Sequence, residues 1–179
     1  MVRRDCTWAT LLDLPAKLLE VCSLTKEEIY SAVVSTASMY AGLFKDVLAL
    51  VGPEKAFALN WKQGEVSGNG LAGMIREKLG NKKLEAETIV AVRKLMFDGM
   101  GFEWGVDVSP KSVRFKITKC PFYDGFRAAG MDEQMLRKMC ETMGGGEYSA
   151  LKKHYPNIDV VNEIRSSAKA TCIEEFKIL

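Results

Sequence analysis

The residues best suited to chemistry lie in the last ten positions of the sequence. Counting by two, Ala170, Cys172, Glu174, Phe176 and Ile178 share one face of a strand, while Lys169, Thr171, Ile173, Glu175 and Lys177 share the other. The first face is the more apolar, which predicts Glu174 on the buried side beside Cys172. A carboxyl group removed from water resists ionisation unless a partner compensates, and such groups concentrate at functional sites. The competing reading is a bulge or register shift that turns Glu174 outward. Asn162, set among Ile158, Val160 and Ile164, poses the same question. Its amide needs hydrogen-bond partners, either a ligand or a backbone group at the strand end.

Cysteines supply the second kind of chemistry. Cys120, Cys140 and Cys172 all fall in the C-terminal half. As three thiolates they form a candidate ligand set for zinc or iron, although no Cys-x-x-Cys pair is present and each also reads as a small buried hydrophobe. No cofactor is required by the sequence. Cys120 precedes Pro121, a residue that opens helices, and a helix N-terminus lowers a thiol pKa. This makes Cys120 the better-placed nucleophile, expected to be the most reactive thiol of the core. His154 is its one possible histidine partner, in the solvated-looking run Lys152-Lys153-His154-Tyr155. Cys120, Cys172 and Glu174 are therefore the candidate catalytic residues, expected to converge on one pocket. Tyr123, Asn162 and Trp104 are the candidate ligand contacts. Met131, Met135, Met139 and Met143 recur every four residues and read as core packing rather than a cofactor wall. Gly144-Gly145-Gly146 lacks the lysine and hydroxyl of a phosphate-binding loop and reads as a helix stop.

These groups need a scaffold. Thr7–Glu20 predicts a short helix kinked at Pro15. Ser23 or Thr25 caps a second helix with the stripe Ile29, Val33, Thr36, Tyr40, Leu43, Val47 and Leu50, which Gly52-Pro53 ends. A third carries Phe57, Trp61, Gly64, Gly68, Leu71, Ile75 and Leu79 on one side. Its Gly64/Gly68 step invites close approach of a neighbouring helix, while Gly68-Asn69-Gly70 equally invites a break. A fourth helix, Leu84 to Met100, buries Ile89, Val92, Leu95 and Met96. The period then changes to two: Phe102, Trp104, Val106 and Val108, a turn at Ser109-Pro110-Lys111, then Val113, Phe115 and Ile117. Two helical stretches (122–129 and 132–143) and a second hairpin (158–164 and 170–178) follow. The fold class expected is a single α+β domain, N-terminal helices followed by a four-stranded antiparallel sheet in ββ-αα-ββ order.

The totals bound what this domain does. The 179 residues are 47% hydrophobic and 27% charged with a net charge of +2, a globular composition without the field that nucleic acid or an anionic membrane demands. No uninterrupted apolar run reaches about 18 residues, so no membrane span is expected. Asp13, Pro15 and Lys17 interrupt the apolar centre that a signal peptide requires. Five irregularly spaced cysteines do not read as a secreted disulfide framework, and a reducing cytoplasm is the expected compartment. Trp8, Leu11, Leu12, Leu18 and Leu19 form an apolar patch expected to drive homo-oligomerisation.

Lys119-Cys120-Pro121 after a hairpin, a helical insert with a further cysteine, and the ending Cys172-Ile173-Glu174-Glu175-Phe176 resemble the L-2-amino-thiazoline-4-carboxylic acid hydrolase-like family. They are similar also to its relatives, the vinyl-reductase-type small-molecule-binding domains. The resemblance implies an α+β domain with a ligand pocket between helices and sheet, and for the named family hydrolytic opening of a thiazoline ring. The matching positions are Cys120 with Pro121, and Cys172 with Glu175-Phe176. Where the family often carries another cysteine or a Gly-Asp pair, this sequence has Ser166-Ser167-Ala168-Lys169. Three functions follow as expectations: a hydrolase of a cyclic amidine or thiazoline C–N bond with Glu174 as general base, a non-catalytic ligand- or metal-binding sensory module, and an interaction protein without a pocket.

Overall fold

The computed structural model describes residues 24–80, 83–166 and 170–179, without the side chains of 78 and 79. The proposed Thr7–Glu20 helix and Cys6 lie outside the described residues, as do Ser167–Lys169 and the apolar patch behind the oligomer expectation.

Among the described residues five helices and four strands follow one another as α1 (Lys26–Val51), α2 (Pro53–Leu79), α3 (Ala86–Gly99), β1 (Glu103–Ser109), β2 (Ser112–Lys119), α4 (Pro121–Ala128), α5 (Glu133–His154), β3 (Ile158–Glu163) and β4 (Cys172–Ile178). Thr25 opens α1 with a full capping box: its hydroxyl accepts from the Glu28 amide at 3.1 Å, and its own amide donates to the Glu28 carboxylate at 2.9 Å. Gly52, at φ 81°, ends that helix, and Pro53 begins α2 at a position where its missing N–H costs nothing.

The sheet is antiparallel in the order β1-β2-β4-β3, which makes the fold α+β. Each hairpin contributes its second strand to the centre. Register pairs Phe115 with Glu174, Ile117 with Cys172, and Asn162 with Glu174. The inner face therefore carries Val113, Phe115, Ile117, Cys172, Glu174 and Phe176, all buried, as the two-residue period predicts. Among the described residues the one irregularity in the ladder lies between Glu103 and Trp104 of β1, and the pairing of β4 with both its neighbours is regular. Glu174 points inward without a bulge.

Three expectations about the helices need correction. Gly144-Gly145-Gly146 does not stop a helix; α5 runs straight through it. The glycines serve a close helix crossing instead. A Cβ on Gly146 would lie 2.1 Å from the Trp61 carbonyl oxygen, one on Gly64 2.0 Å from the Met143 carbonyl, and one on Gly68 2.2 Å from the Glu147 carbonyl. Backbones this near leave room for hydrogen only. The Gly64/Gly68 step is thus a packing groove, and α2 continues unbroken past Gly70.

The buried face of α1 is Ala37, Ala41 and Phe44, whereas Leu43 and Leu50 of the proposed stripe are 62% and 83% exposed. Here α4 crosses α1 at Gly125, whose added Cβ would lie 2.5 Å from Ala37 Cβ. Small residues set the centre of that face, while Tyr40 and Val47 of the proposed stripe are half-buried against the same core. One 18-residue window of α1 has a mean hydropathy of 1.3 and is only 17% buried, so among the described residues this helix is long and apolar enough, by length and composition, to cross a membrane. The core helix of a soluble protein and an N-terminal signal sequence pass the same test. In α3 the buried residues are Ala86, Ile89, Arg93 and Phe97, and Leu95 faces outward.

Two cores result. One lies between the sheet, α3 and the C-terminal halves of α2 and α5; the other joins α1, α2, α4 and the first half of α5 and holds Met131 and Met139. Asn60 is buried in the second and fully used: it accepts from the Tyr40 hydroxyl at 2.7 Å and donates to the Met139 carbonyl and Thr142 hydroxyl at 2.9 and 2.6 Å.

The crossing yields a paired prediction for urea unfolding. Gly146→Ala should lose about 1–3 kcal/mol, because the added methyl can be housed only by parting the helices. Gly70→Ala and Gly73→Ala, where nothing lies within 4 Å of the added Cβ, should each gain about 0.5–1 kcal/mol. Equal effects at the three positions would refute the crossing.

Candidate functional site

Where the two cores meet, a cavity of about 220 Å³ lies between the inner face of the sheet, α3, the start of α4 and the middle of α5. Its body is apolar, built from Met96, Phe97, Phe102, Ile117, Phe122 and Met143 among others. A larger groove of about 890 Å³ runs along the first turns of α5 from Asp132 to Glu141. Its lining is mainly charged side chains from one helix, so it offers no convergent chemistry.

The cavity's polar wall centres on Arg93. It stands four residues after Ile89 and four before Phe97, in the middle of the inward stripe of α3. Its Nη2 donates to Oε1 of Glu174 at 2.5 Å and to Oε1 of Glu147 at 2.6 Å. Its guanidinium lies 5.3 Å from the centre of the Phe176 ring and 5.9 Å from those of Phe97 and Tyr148. Arg93 and Glu174 are only 4% and 3% exposed. Burial opposes the arginine's charge, but the two carboxylates outweigh it and hold the guanidinium protonated. For Glu174 burial wins: its carboxyl is pushed up from the ordinary range, with Arg93 pulling it partly back and Glu147 pushing further. Burial, then the neighbouring Glu174 charge, lifts the Tyr148 hydroxyl well above its usual range.

The hydrogen bonding of this wall is incomplete. Glu147 Oε2 accepts from the Ser67 hydroxyl at 3.0 Å, yet Glu174 Oε2 and Arg93 Nε are buried without a partner. Tyr148 comes near enough to Glu174 to favour the charged carboxylate and the neutral phenol, but Oε2 receives no hydrogen bond of ordinary geometry.

Cys120, Cys140 and Cys172 line the same cavity, together with Tyr123 and Asn162. The candidate residues Cys120, Cys172 and Glu174 thus share one pocket. Cys120 caps α4, its sulfur accepting the Tyr123 amide at 3.5 Å. That bond favours the thiolate, as a helix N-terminus should, but burial dominates and pushes the thiol up to about 12. The expectation of a low pKa, and with it Cys120 as the reactive nucleophile, is corrected. Burial raises Cys140 well above the normal thiol range too. Cys172 accepts from the backbone N–H and Nε of Arg165 at 3.3 and 3.5 Å, and the Arg165 guanidinium also lies 4.6 Å from the Tyr123 ring centre.

Trp104 is not part of the cavity; its indole N–H donates to Asp98 at 3.0 Å and its ring packs on Phe97 and Phe115. His154 sits at the exposed end of α5 against Asn69 and Arg76, so no Cys/His dyad forms. The three thiols share a cavity but not a coordination geometry: among the described residues no group of three or more His, Cys, Asp or Glu side chains is arranged to hold a metal.

Arg93, Glu147 and Tyr148 are absent from the sequence-derived site. Arg93 carried a usable signal, a charge in the centre of an i, i+4 apolar stripe. Glu147 carried none beyond its place after the glycine triplet.

Timed alkylation with iodoacetamide and mass-spectrometric mapping follows directly. With its thiol raised to about 12 by burial, Cys120 should label at pH 8 roughly a thousandfold more slowly than a free cysteine, and Cys140, raised by burial as well, should also be protected. Labelling of Cys120 at the rate of a small-molecule thiol would refute the buried assignment. No family model, curated protein or solved structure matches this chain.

Proposed function

We propose that this chain is a small-molecule-binding domain whose ligand occupies the cavity between sheet and helices. The observation that carries the reading is an apolar cavity of about 220 Å³ whose wall holds two buried polar atoms, Glu174 Oε2 and Arg93 Nε, with no partner in the protein. Ligand sites combine an apolar lining with a few convergent polar groups in this manner. At about 30 Å³ per water the space equals roughly seven water molecules, so the ligand is small. The layout also suits the resemblance drawn from the Cys120-Pro121 and Cys172-to-Phe176 segments, which implies a pocket between helices and sheet.

A hydrolytic reading has one observation in its favour. Glu174, buried with a raised pKa and one free oxygen, has the properties of a general base that takes a proton from water attacking a cyclic amidine or thiazoline carbon. In that case the base acts on water directly, since Cys120 remains a thiol at neutral pH and lacks a histidine. Binding without turnover requires fewer steps and is the reading preferred here.

The test is native mass spectrometry of the purified protein for a retained organic mass, with thermal-shift screening of small apolar compounds at millimolar concentration. A retained mass or a reproducible rise in melting temperature is expected. Ile164→Phe, which adds bulk to a half-buried cavity residue, should lower retention or affinity by about tenfold or more without lowering the melting temperature, because it fills space rather than emptying it. No retained mass and no shift with any compound would refute the proposal.

A further inference from the structure

The polar wall has a charge imbalance that narrows the ligand class. One guanidinium, Arg93, faces two carboxylates, Glu147 and Glu174, and both carboxylates take their bond from the same nitrogen. No second cation lines the cavity itself; Arg165 stands behind Cys172 and Tyr123, its Nε on the Cys172 sulfur and its guanidinium 4.6 Å from the Tyr123 ring centre. Glu147 is otherwise provided for, through the Ser67 hydroxyl. Glu174 is not: its Oε2 is buried and has no donor.

A proton on Glu174 removes the excess charge but not the vacancy. The carboxyl would then carry an O–H donor, for which the neighbouring Tyr148 hydroxyl is the candidate acceptor although the two make no hydrogen bond of ordinary geometry. A donor brought by a ligand satisfies Oε2, and a positively charged donor also balances the charge. The remaining walls suit such a group. Phe97, Phe102, Phe122, Tyr123 and Tyr148 line the cavity, and aromatic faces attract cations while accommodating an apolar body. An anionic ligand drawn to Arg93 would instead sit against two carboxylates in a poorly solvated space. The free Nε of Arg93 accordingly suits a neutral acceptor, such as a ring nitrogen, sulfur or carbonyl.

From this juxtaposition we infer that the ligand is a small organic cation, an ammonium or amidinium group on an apolar body, whose N–H donors meet Oε2 of Glu174. The inference rests on the binding reading above and deepens it. Glu174 is then the residue that selects ligand charge, and Arg93 is a positioning residue that fixes the carboxylate through its other oxygen.

Four probes separate this inference from the reading beneath it: benzamidine, benzamide and benzoate, which share size and shape but differ in charge, and toluene, which tests the cavity alone. Binding is measured on the full chain at neutral pH by calorimetry and saturation-transfer NMR. Benzamidine should bind about tenfold or more tightly than benzamide, the scale set by a charge-assisted hydrogen bond, and benzoate should not bind. E174Q should abolish the preference for benzamidine over benzamide while toluene still binds, and Ile164→Phe should weaken benzamidine. Should E174Q not fold, the ranking on the unmodified protein decides. Benzamide or benzoate binding as tightly as benzamidine would overturn the inference, as would a benzamidine preference that survives E174Q or benzamidine binding that survives Ile164→Phe. In those cases toluene binding would leave the cavity reading standing. If none of the four probes binds, both readings fall.

Discussion

The burial of Arg93 between Glu147 and Glu174 is the interaction on which the arrangement of this protein turns. It joins α3, α5 and β4 at one nitrogen atom, so the helical layer and the sheet are keyed to each other there rather than by apolar contact alone. Removing one partner from such a triad leaves a buried charge uncompensated, which typically costs about 3–5 kcal/mol. The rings of Phe97, Tyr148 and Phe176 surround the guanidinium and limit the arginine to few geometries. Contacts of this kind define a position more sharply than they add stability, because the desolvation of three charges offsets most of their attraction.

That triad depends in turn on the glycine crossing. Glu147 can reach Arg93 only because α5 lies almost backbone to backbone against α2, with Gly64 and Gly68 facing Met143 to Glu147, and Gly146 facing Trp61. The same approach brings Ser67 of α2 to Glu147. Three glycines in a row would cost an isolated helix about 1 kcal/mol each. In this fold the loss is offset by the burial of both helices along their length, so tertiary packing overrides local propensity.

The contrast shows which features were legible in the sequence. Alternation in β2 and β4 pointed Glu174 and Cys172 to the buried face but left a bulge at Glu174 open, and the unbroken register between the two strands closes that alternative. The ββ-αα-ββ order was legible for the same reason, together with the cap at Thr25 and the Gly52-Pro53 boundary. Helix faces were harder to read. On α1 the contact residues are alanines that a hydropathy stripe passes over, and on α3 the central inward residue is an arginine that such a stripe excludes. The glycine triplet was misread because its purpose lies in α2, some eighty residues away in the chain. Trp104 looked like a ligand contact by residue type alone, whereas its place on an edge strand gives it Asp98 and a pair of phenylalanines as partners. Cys120 was placed correctly, but its chemistry was not. A helix N-terminus and burial act in opposite directions on a thiol, and the sequence shows only the first.

On the proposed binding reading, completeness of hydrogen bonding separates a ligand wall from a purely structural one. An ion triad kept only for architecture gains from having every polar atom paired, since each vacancy in a low-dielectric interior carries its full desolvation cost. Asn60 shows that this chain achieves such closure where it is needed: all its bonds are made within the protein, between α1, α2 and α5. The Arg93 wall, buried to a similar degree, stops short of it at two atoms, and those atoms belong to residues that line the cavity. Where Asn60 is satisfied by the protein alone, the free atoms of Glu174 and Arg93 face a cavity and take their partners from what fills it, water or, on the proposed reading, a ligand.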